Sequence, residues 1–444
     1  MNFRFTCIYL DPSCYIGGGL MNAFEWKEWN SGKLPELERH SEAKLSVLRN
    51  YVTDYICILC SDSYGRDAFR ITMVDGFAGG GAYCDAKFGS PFVFLEAVAA
   101  ADSKINANRH KPLLIDCHYY FVEEKREAFE CLQAQLQHSI YKDQIGKTIF
   151  LRHGSFHQCQ TQIVAETKAR FTRGGSRVIF FLDQCGYSDV HPRLLNSIST
   201  ELNNKAEFII NFAVNWLIDF VNNTDEFRQM LKNLGLDSEL SAEQLIRVKE
   251  QSGSDWRYVI EAMIGPAFRK VAGAQFFSPF YIAPIDNHRG YWLLHLAPHI
   301  RARSAMLDVY WRNANGHRHF GHLGLNMLSY SPDAKQEGYL KGFAFDGFTK
   351  SAAMELLKTD FARVIHDSHT EGISFRNFAT KYCNQTIANE SLIAETIEEL
   401  ARAGEIIILG PKGSPKRSEA IGANDIVLPC NQLFFETLRA SKEQ

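Results

Sequence analysis

The chain has 444 residues, 45% hydrophobic and 22% charged, a globular balance with room for two or three domains. A formal net charge of −3 gives no global attraction for nucleic acid, so any such site must be a local patch. Eleven scattered cysteines argue against a secreted disulfide framework and for a reducing compartment, no apolar run reaches the roughly 18 residues of a membrane span, and the first twenty residues lack a signal peptide's apolar stretch. The expectation is a cytoplasmic protein, with Met21 an alternative start to Met1 because helical patterning begins only after it.

Residues 1–35 read as an N-terminal extension. Residues 36–60 then place Leu45, Leu48, Tyr51, Val52 and Tyr55 at helical spacing, predicting a helix ahead of the first strand. His40 and Lys44 stand one turn apart on it, placed to reach a ligand or to be solvated. Cys57 and Cys60 form a C-x-x-C with apolar flanks and no second pair, which suits buried helical cysteines better than zinc ligands. The chain is organised around residues 70–85, RITMVDGFAGGGAYCD. A strand from Arg70 to Val74 stops at Asp75, a turn follows at Gly76, Gly79, Gly80 and Gly81, and Pro91 to Ala100 reads as a helix. A strand feeding a glycine-rich turn and then a helix is the nucleoside- or phosphate-binding corner of doubly wound α/β folds. Glycines there let backbone approach a ligand and accept φ > 0. The spacing is neither G-x-G-x-x-G nor G-x-x-x-x-G-K-[ST]. The plainer reading is a structural turn after a buried strand.

After a polar loop at 102–112, Tyr119 to Val122 reads as a second strand ending at Glu123. A carboxylate there can hydrogen-bond both ribose hydroxyls of an adenosine-type ligand; otherwise Glu123 is a solvated acid favoured by a helix dipole. Thr148 to Leu151 is a third strand running into His153-Gly154-Ser155-Phe156, placed to flank an adenine. His153, His157 and Cys159 have a spacing a metal could use, without acidic companions. Val178 to Leu182 is continuously apolar, as a central parallel strand must be, and ends in Asp183-Gln184-Cys185-Gly186-Tyr187. The bland reading has Asp183 capping the next helix and Tyr187 in the core. Ala206 to Val214 is a fifth strand, with Asn211 and Asn215 near its end.

Asp75-x-Phe77-x-Gly79-x-Gly81 resembles the D-x-F-x-G-x-G corner with which DNA and RNA methyltransferases hold S-adenosylmethionine. That resemblance implies a cofactor site of Asp75, Gly76, Phe77, Gly79, Gly81, Glu123 and Ser155. The Asp183–Tyr187 segment is similar to the acceptor loop of amino-methyltransferases, where a polar group accepts from the target NH2 and an aromatic ring stacks on the base. Methyl transfer then needs mainly in-line near-attack geometry. From His40 to about Asn215 the chain resembles the three-Cys-motif partner family. The shared marks are His40 and Lys44 as H-x-x-x-K, Asp75 to Gly79, Gly89-Ser90-Pro91, Phe121-Val122-Glu123, and Asp183 to Tyr187. The resemblance implies a methyltransferase-like Rossmann fold and a partner protein carrying a three-cysteine, radical-enzyme-like motif, without a settled reaction. Gln184 and Cys185 depart from the family's Pro-Phe pair, so the rigid turn and one stacking ring are missing. Cys185 as a nucleophile has no adjacent base in the sequence.

Residues 216–272 are helical in pattern, with a capping box from Ser241 to Gln244, and suit a lid or substrate-recognition insertion. Phe276 to Ile285 and Tyr291 to Leu296 read as a hairpin around Asp286 to Gly290, the antiparallel end of a seven-stranded methyltransferase sheet. His317, His319 and His322 suit a polar surface loop better than a metal site. Beyond 345, helices at Ala352–His366, Phe375–Tyr382 and Glu390–Ala403, then strands at Glu405–Leu409 and Ile426–Leu428, give a winged-helix-like domain. Lys412, Lys416 and Arg417 would suit DNA or RNA phosphates. Glu390, Glu395, Glu398 and Glu399 on the third helix would repel them, and protein docking is an equal use.

The expected fold is thus α/β: a doubly wound Rossmann-like methyltransferase sheet of about seven strands (36–345), a helical insertion, and a winged-helix-like domain (346–444). Three functions follow from it. The first is an S-adenosylmethionine-dependent methyltransferase acting on a nucleic-acid base, with Asp183 and Tyr187 at the acceptor. The second is a non-catalytic partner or adaptor of the three-Cys-motif protein, docking through the winged helix. The third is a nucleic-acid-binding effector, for which no two-metal carboxylate cluster is visible.

Overall fold

The computed structural model describes residues 34–61, 65–171, 176–184, 190–252, 256–282, 291–313, 319–322, 324–325, 339–343, 347–416 and 420–430. Helix α1 (Arg39–Cys60) precedes a sheet of β1 (Ala68–Asp75), β2 (Leu114–Glu123), β3 (Ile149–His153), β4 (Ser176–Leu182), β5 (Ala206–Phe212), β6 (Phe276–Ile282) and β7 (Tyr291–Ala297). The strands hydrogen-bond in the order β3-β2-β1-β4-β5-β7-β6. Pairings β1–β2, β1–β4, β2–β3 and β4–β5 are parallel. This is the expected doubly wound, Rossmann-like sheet of seven strands. The order reverses between β1 and β4, and in open α/β sheets a crevice for ligands forms outside the strand carboxyl ends at that point.

The crossover helices are α2 (Ser90–Asn106), α3 (Arg126–Gln137), α4 (Phe156–Ala169) and α5 (Pro192–Glu201). Pro91 at the start of α2 pre-sets the helical φ where its missing N–H costs nothing. Val178 to Leu182 in β4 are at most 1% exposed, as burial on both sheet faces requires. Helix α2 runs six residues past the expected Ala100. Its polar last turn is held by Asn106, whose side chain exchanges hydrogen bonds of 2.8 and 3.0 Å with the Leu113 backbone. β2 likewise begins five residues before Tyr119. Its polar first half is stabilised by the Asp116 carboxylate, which takes Arg70 Nε at 2.6 Å and Arg170 Nη2 at 2.7 Å. β5 stops at Phe212, and α6 (Val214–Asp219) begins where strand was expected.

The chain divides into two compact units, one drawn from Met1–Trp216 and Ile282–His295, the other from Leu217–Tyr281 and Leu296–Gln444. The second contains α7 (Asp225–Leu234), α8 (Ala242–Gln251), α9 (Trp256–Val271) and α10 (Ile300–Arg312). The Ser241 hydroxyl caps α8 by accepting from Gln244 N at 3.0 Å. A short pair follows, β8 (His319–His322) with β9 (Tyr339–Phe343), antiparallel. His319 and His322 thus fall on a strand, and His317 lies outside the described residues.

The chain then forms α11 (Gly347–Ser368), β10 (Ile373–Ser374), α12 (Phe375–Tyr382), α13 (Glu390–Arg402), β11 (Ile406–Leu409) and β12 (Ile426–Pro429). The three strands pair antiparallel in the order β10-β12-β11. Phe361 packs edge-on to Phe378 at 5.0 Å in a core with Leu357, Ile365, Ile393 and Ile397, all fully buried. Glu398 and Glu399 of α13 have internal partners: Glu398 Oε1 accepts from Ile421 N at 2.8 Å, and Glu399 pairs with Lys358 at 2.5 Å. No described helix is long and apolar enough to cross a membrane.

Candidate functional site: a carboxylate-rimmed corner at the sheet switch point

Asp75 closes β1 and is completely buried. Its Oδ1 accepts from Phe77 N at 3.2 Å, and its Oδ2 is buried without a hydrogen-bond partner among the described residues. Burial pushes the carboxyl up to about 7, against the lowering pull of the Ser90 hydroxyl and the Phe77 amide; the charges of Asp183 and Glu123 raise it further. An unsatisfied buried acceptor is costly in a folded protein, and this one belongs to the last residue of β1, at the strand ends where ligands bind.

The glycines divide by role. A Cβ on Gly76 would lie 2.6 Å from Leu182 Cδ2 and 2.9 Å from Phe156 Cδ2, so this position has no room for a side chain. Gly79 and Gly81 have φ of 61° and 78°, the left-handed region that glycine adopts freely. A Cβ on Gly81 would also meet Leu132 Cδ1 at 2.7 Å. The turn therefore runs close along the strand ends, with Ala78 N bonded to Val122 O at 2.9 Å. Phe77 is half-buried, its ring 6.3 Å from that of Phe156.

Glu123 ends β2 and is 7% exposed, which excludes a solvated helix-start acid. Oε2 accepts from Gly79 N at 2.8 Å and Oε1 from Lys125 N at 2.7 Å. Burial raises this carboxyl, while the Lys125 and Gly79 amides lower it. Each oxygen keeps a lone pair, so two neighbouring hydroxyls could still be bound. Ser155 follows β3 and is tied to this corner through Gly154 N, which donates to Glu123 O at 3.0 Å. Its hydroxyl caps α4 in a reciprocal box with Gln158, at 3.3 and 3.0 Å. Asp75, Gly76, Phe77, Gly79, Gly81, Glu123 and Ser155 thus stand together at the carboxyl ends of β1, β2 and β3.

The residue after β4 is differently occupied. Asp183 does not cap α5, whose start is capped by His191 Nδ1. Lys44 Nζ of α1 lies 2.7 and 2.6 Å from the two Asp183 oxygens, and Asn211 Nδ2 donates to Oδ1 at 2.8 Å. Lys44 is buried, so its place is neither a free ligand contact nor a solvated one. Asn211 Oδ1 has no partner among the described residues. The buried Gln184 accepts from Val190 N at 2.9 Å through Oε1. Cys185 and Tyr187 lie outside the described residues.

Sequence reading missed a second polar cluster, in the first unit. Glu207 of β5 accepts a short hydrogen bond from Tyr51 of α1, and His295 Nε2 of β7 lies 3.2 Å from Glu207 Oε2 and 3.0 Å from Tyr51 Oη. All three are at most 1% exposed. Tyr55, one turn further along α1, has its phenol raised well above the ordinary range by burial and by Glu207. In the second unit, the buried Arg303 of α10 donates to three backbone oxygens: Ala388 at 2.9 Å, Thr386 at 2.5 Å and Phe277 at 3.3 Å. Ser304 Oγ accepts from Glu390 N at 3.0 Å. The N-terminal end of α13 is therefore seated on α10. In the expected wing, Lys412 is exposed, and Lys416 Nζ pairs with the buried Asp425 at 2.8 Å. Arg417 lies outside the described residues.

No family model matches this chain, and no curated protein does. Among solved structures it is similar to Trm1 from Pyrococcus horikoshii in complex with S-adenosyl-L-methionine, at 10% identity and a TM-score of 0.29, over 89% of this chain and 93% of that one. It is also similar to a putative O-methyltransferase from Klebsiella pneumoniae, at 8% identity and a TM-score of 0.25, over 58% and 90%. A third is cofactor-bound Rv0187 from MTB, at 10% identity and a TM-score of 0.24, over 56% and 79%.

Proposed function

We propose that the first unit binds S-adenosylmethionine at the β1–β4 switch point and that the protein is a methyltransferase-like member of the three-Cys-motif partner group, acting on a nucleic-acid nitrogen. One observation carries the cofactor reading: Glu123 braces the Gly79 turn with one oxygen while Asp75, beside the same turn, keeps a buried oxygen with no partner among the described residues. The residues fit the cofactor. Glu123 suits the ribose hydroxyls, Asp75 a buried donor, the Gly76–Gly81 backbone the amino-acid portion, and the Ser155 corner the adenine. The cofactor would supply an activated methyl group. The chain's own part is to orient donor and acceptor in line and to exclude water.

A second reading is favoured by the occupation of Asp183. Among the described residues Lys44 meets both Asp183 oxygens and Asn211 a second site on Oδ1, so the carboxylate's charge is already cancelled and Oδ2 alone keeps a lone pair for a target NH2. This suits a cofactor-binding partner or adaptor of a three-cysteine radical-type protein that performs no transfer itself. We read the C-terminal helices and strands as its winged-helix-like docking module. The start of α13, which a groove-reading helix would use, is occupied by α10. Among the described residues of the wing, Lys412 is the exposed basic residue on which a nucleic-acid role would rest, together with Arg417 outside them.

Isothermal titration of the full chain with S-adenosylmethionine and S-adenosylhomocysteine tests the cofactor reading. Micromolar binding, weakened at least tenfold in Glu123→Ala, is the expected result. A folded protein that binds neither ligand would refute it.

A further inference from the structure

The sequence places Lys44, Tyr51 and Tyr55 on one side of α1, at separations of seven and four residues. On β5, Glu207 and Asn211 are four residues apart, and alternation puts them on the same sheet face. Seven residues of helix span about 10 Å and four residues of strand about 13 Å, so the two stripes match in length. The contacts pair them off: Tyr51 meets Glu207, while Lys44 meets Asp183, which Asn211 also holds. The buried Tyr51–Glu207–His295 cluster thus fixes α1 along the sheet, and Lys44 arrives at the strand ends with 6% of its side chain exposed. Its position is set by the whole helix, not by a flexible surface arm.

We propose that Lys44 determines how the site responds to charge on the cofactor's sulfur. By cancelling the Asp183 carboxylate, it makes the β4 end of the crevice electrically neutral. This rests on the cofactor reading above and extends it to a residue outside the glycine corner. S-adenosylmethionine and S-adenosylhomocysteine differ by one methyl group and one positive charge. A bare Asp183 would attract the sulfonium and not the neutral thioether, whereas the Lys44–Asp183 pair removes most of that discrimination. Asp183 stands at the same strand ends as Asp75, since Asp75 is in register with Phe181 and Gly76 N donates to Phe181 O at 3.0 Å, two residues before Asp183. The consequence is that Asp183 itself adds little to the site's preference between the methylated and demethylated forms. Lys44 is a positioning and charge-setting residue and acts through Asp183.

The test is the ratio of the two dissociation constants, measured by titration calorimetry at pH 8 on the full chain. Lys44→Met should raise the preference for the sulfonium form by on the order of tenfold, the size expected of one uncompensated charge in a partly buried site. Asp183→Asn should move the ratio the other way, by removing the carboxylate charge that the ammonium cancels. The double variant should return it near the wild-type value, and Lys44→Arg should preserve it. A structural role alone would weaken both ligands together and leave the ratio unmoved. Wild-type binding with an unchanged ratio in both single variants overturns the charge-setting role and leaves the cofactor reading standing. Binding of neither ligand by folded wild-type protein overturns both. If Lys44→Met does not fold, the Asp183→Asn ratio decides.

Discussion

Replacing Asp75 by Asn isolates the energetics of the corner. The carboxyl is lifted from 3.8 to about 7, chiefly by burial. Well below pH 3.8 the group is protonated in both the folded and the unfolded chain and costs nothing. As pH rises, the unfolded chain releases its proton first while the folded chain retains it, so stability falls until the folded group also ionises. The full cost, about 4 kcal/mol from a shift of about three pH units, is reached above pH 8. About 3 kcal/mol of it develops between pH 5 and pH 8. Asn keeps the acceptor for Phe77 N and replaces the unpartnered Oδ2 with an unpartnered NH2, a penalty of about 1–3 kcal/mol that does not depend on pH. Urea unfolding of wild type and Asp75→Asn at both pH values cancels that constant and the parallel contribution of Glu123. The variant should lose about 3 kcal/mol less than wild type over this interval. Identical pH dependence in the two proteins would refute the buried, proton-holding carboxyl.

Two further substitutions test the packing around the site and in the second unit. Gly76→Ala should lower stability by about 1–3 kcal/mol in denaturant melts and weaken cofactor binding, because its Cβ meets Leu182 and Phe156 at under 3 Å. A neutral effect would show that the turn can retreat from the strand ends. Arg303→Met leaves the carbonyls of Phe277, Thr386 and Ala388 without their donor, and should cost about 3 kcal/mol or more. Hydrogen exchange should then accelerate first in residues 384–392. Exchange confined to α10 would place the clamp elsewhere.

What the sequence discloses is what local chemistry encodes. Asp75 and Glu123 each stand where an apolar run gives way to polar residues, so the strand ends and the carboxylates on them are readable together. The β4 run is readable because a strand buried on both faces leaves no polar alternation to confuse it with a surface strand. The extra length of β2 is not, because Asp116 and His118 look like loop residues until Arg70 and Arg170 are brought beside Asp116. Lys44 and Asp183 are 139 residues apart, and Glu207 and His295 are 88 apart. A lone buried acid in a strand and a lone lysine on a helix carry no mark of the partner that makes each tolerable. Arg303 is hidden for a related reason: its partners are backbone oxygens, which have no residue signature.

The occupation of Asp183 bears directly on which of the two proposed functions operates. An acceptor amine approaching this carboxylate must share Oδ2 with Lys44, displace Lys44, or find another oxygen. Asn211 Oδ1 is one such group, since the amide nitrogen is committed to Asp183 and the oxygen is buried with no partner among the described residues. An adaptor needs none of these events, and for it the ion pair is simply the stable resting arrangement. A methyltransferase needs the acceptor to meet Asn211 or the remaining lone pair of Asp183 Oδ2. Asn211→Leu keeps the size but removes both the amide oxygen and the donor to Asp183 Oδ1, and would therefore silence transfer in the first case. It would leave both cofactor binding and partner docking intact in the second.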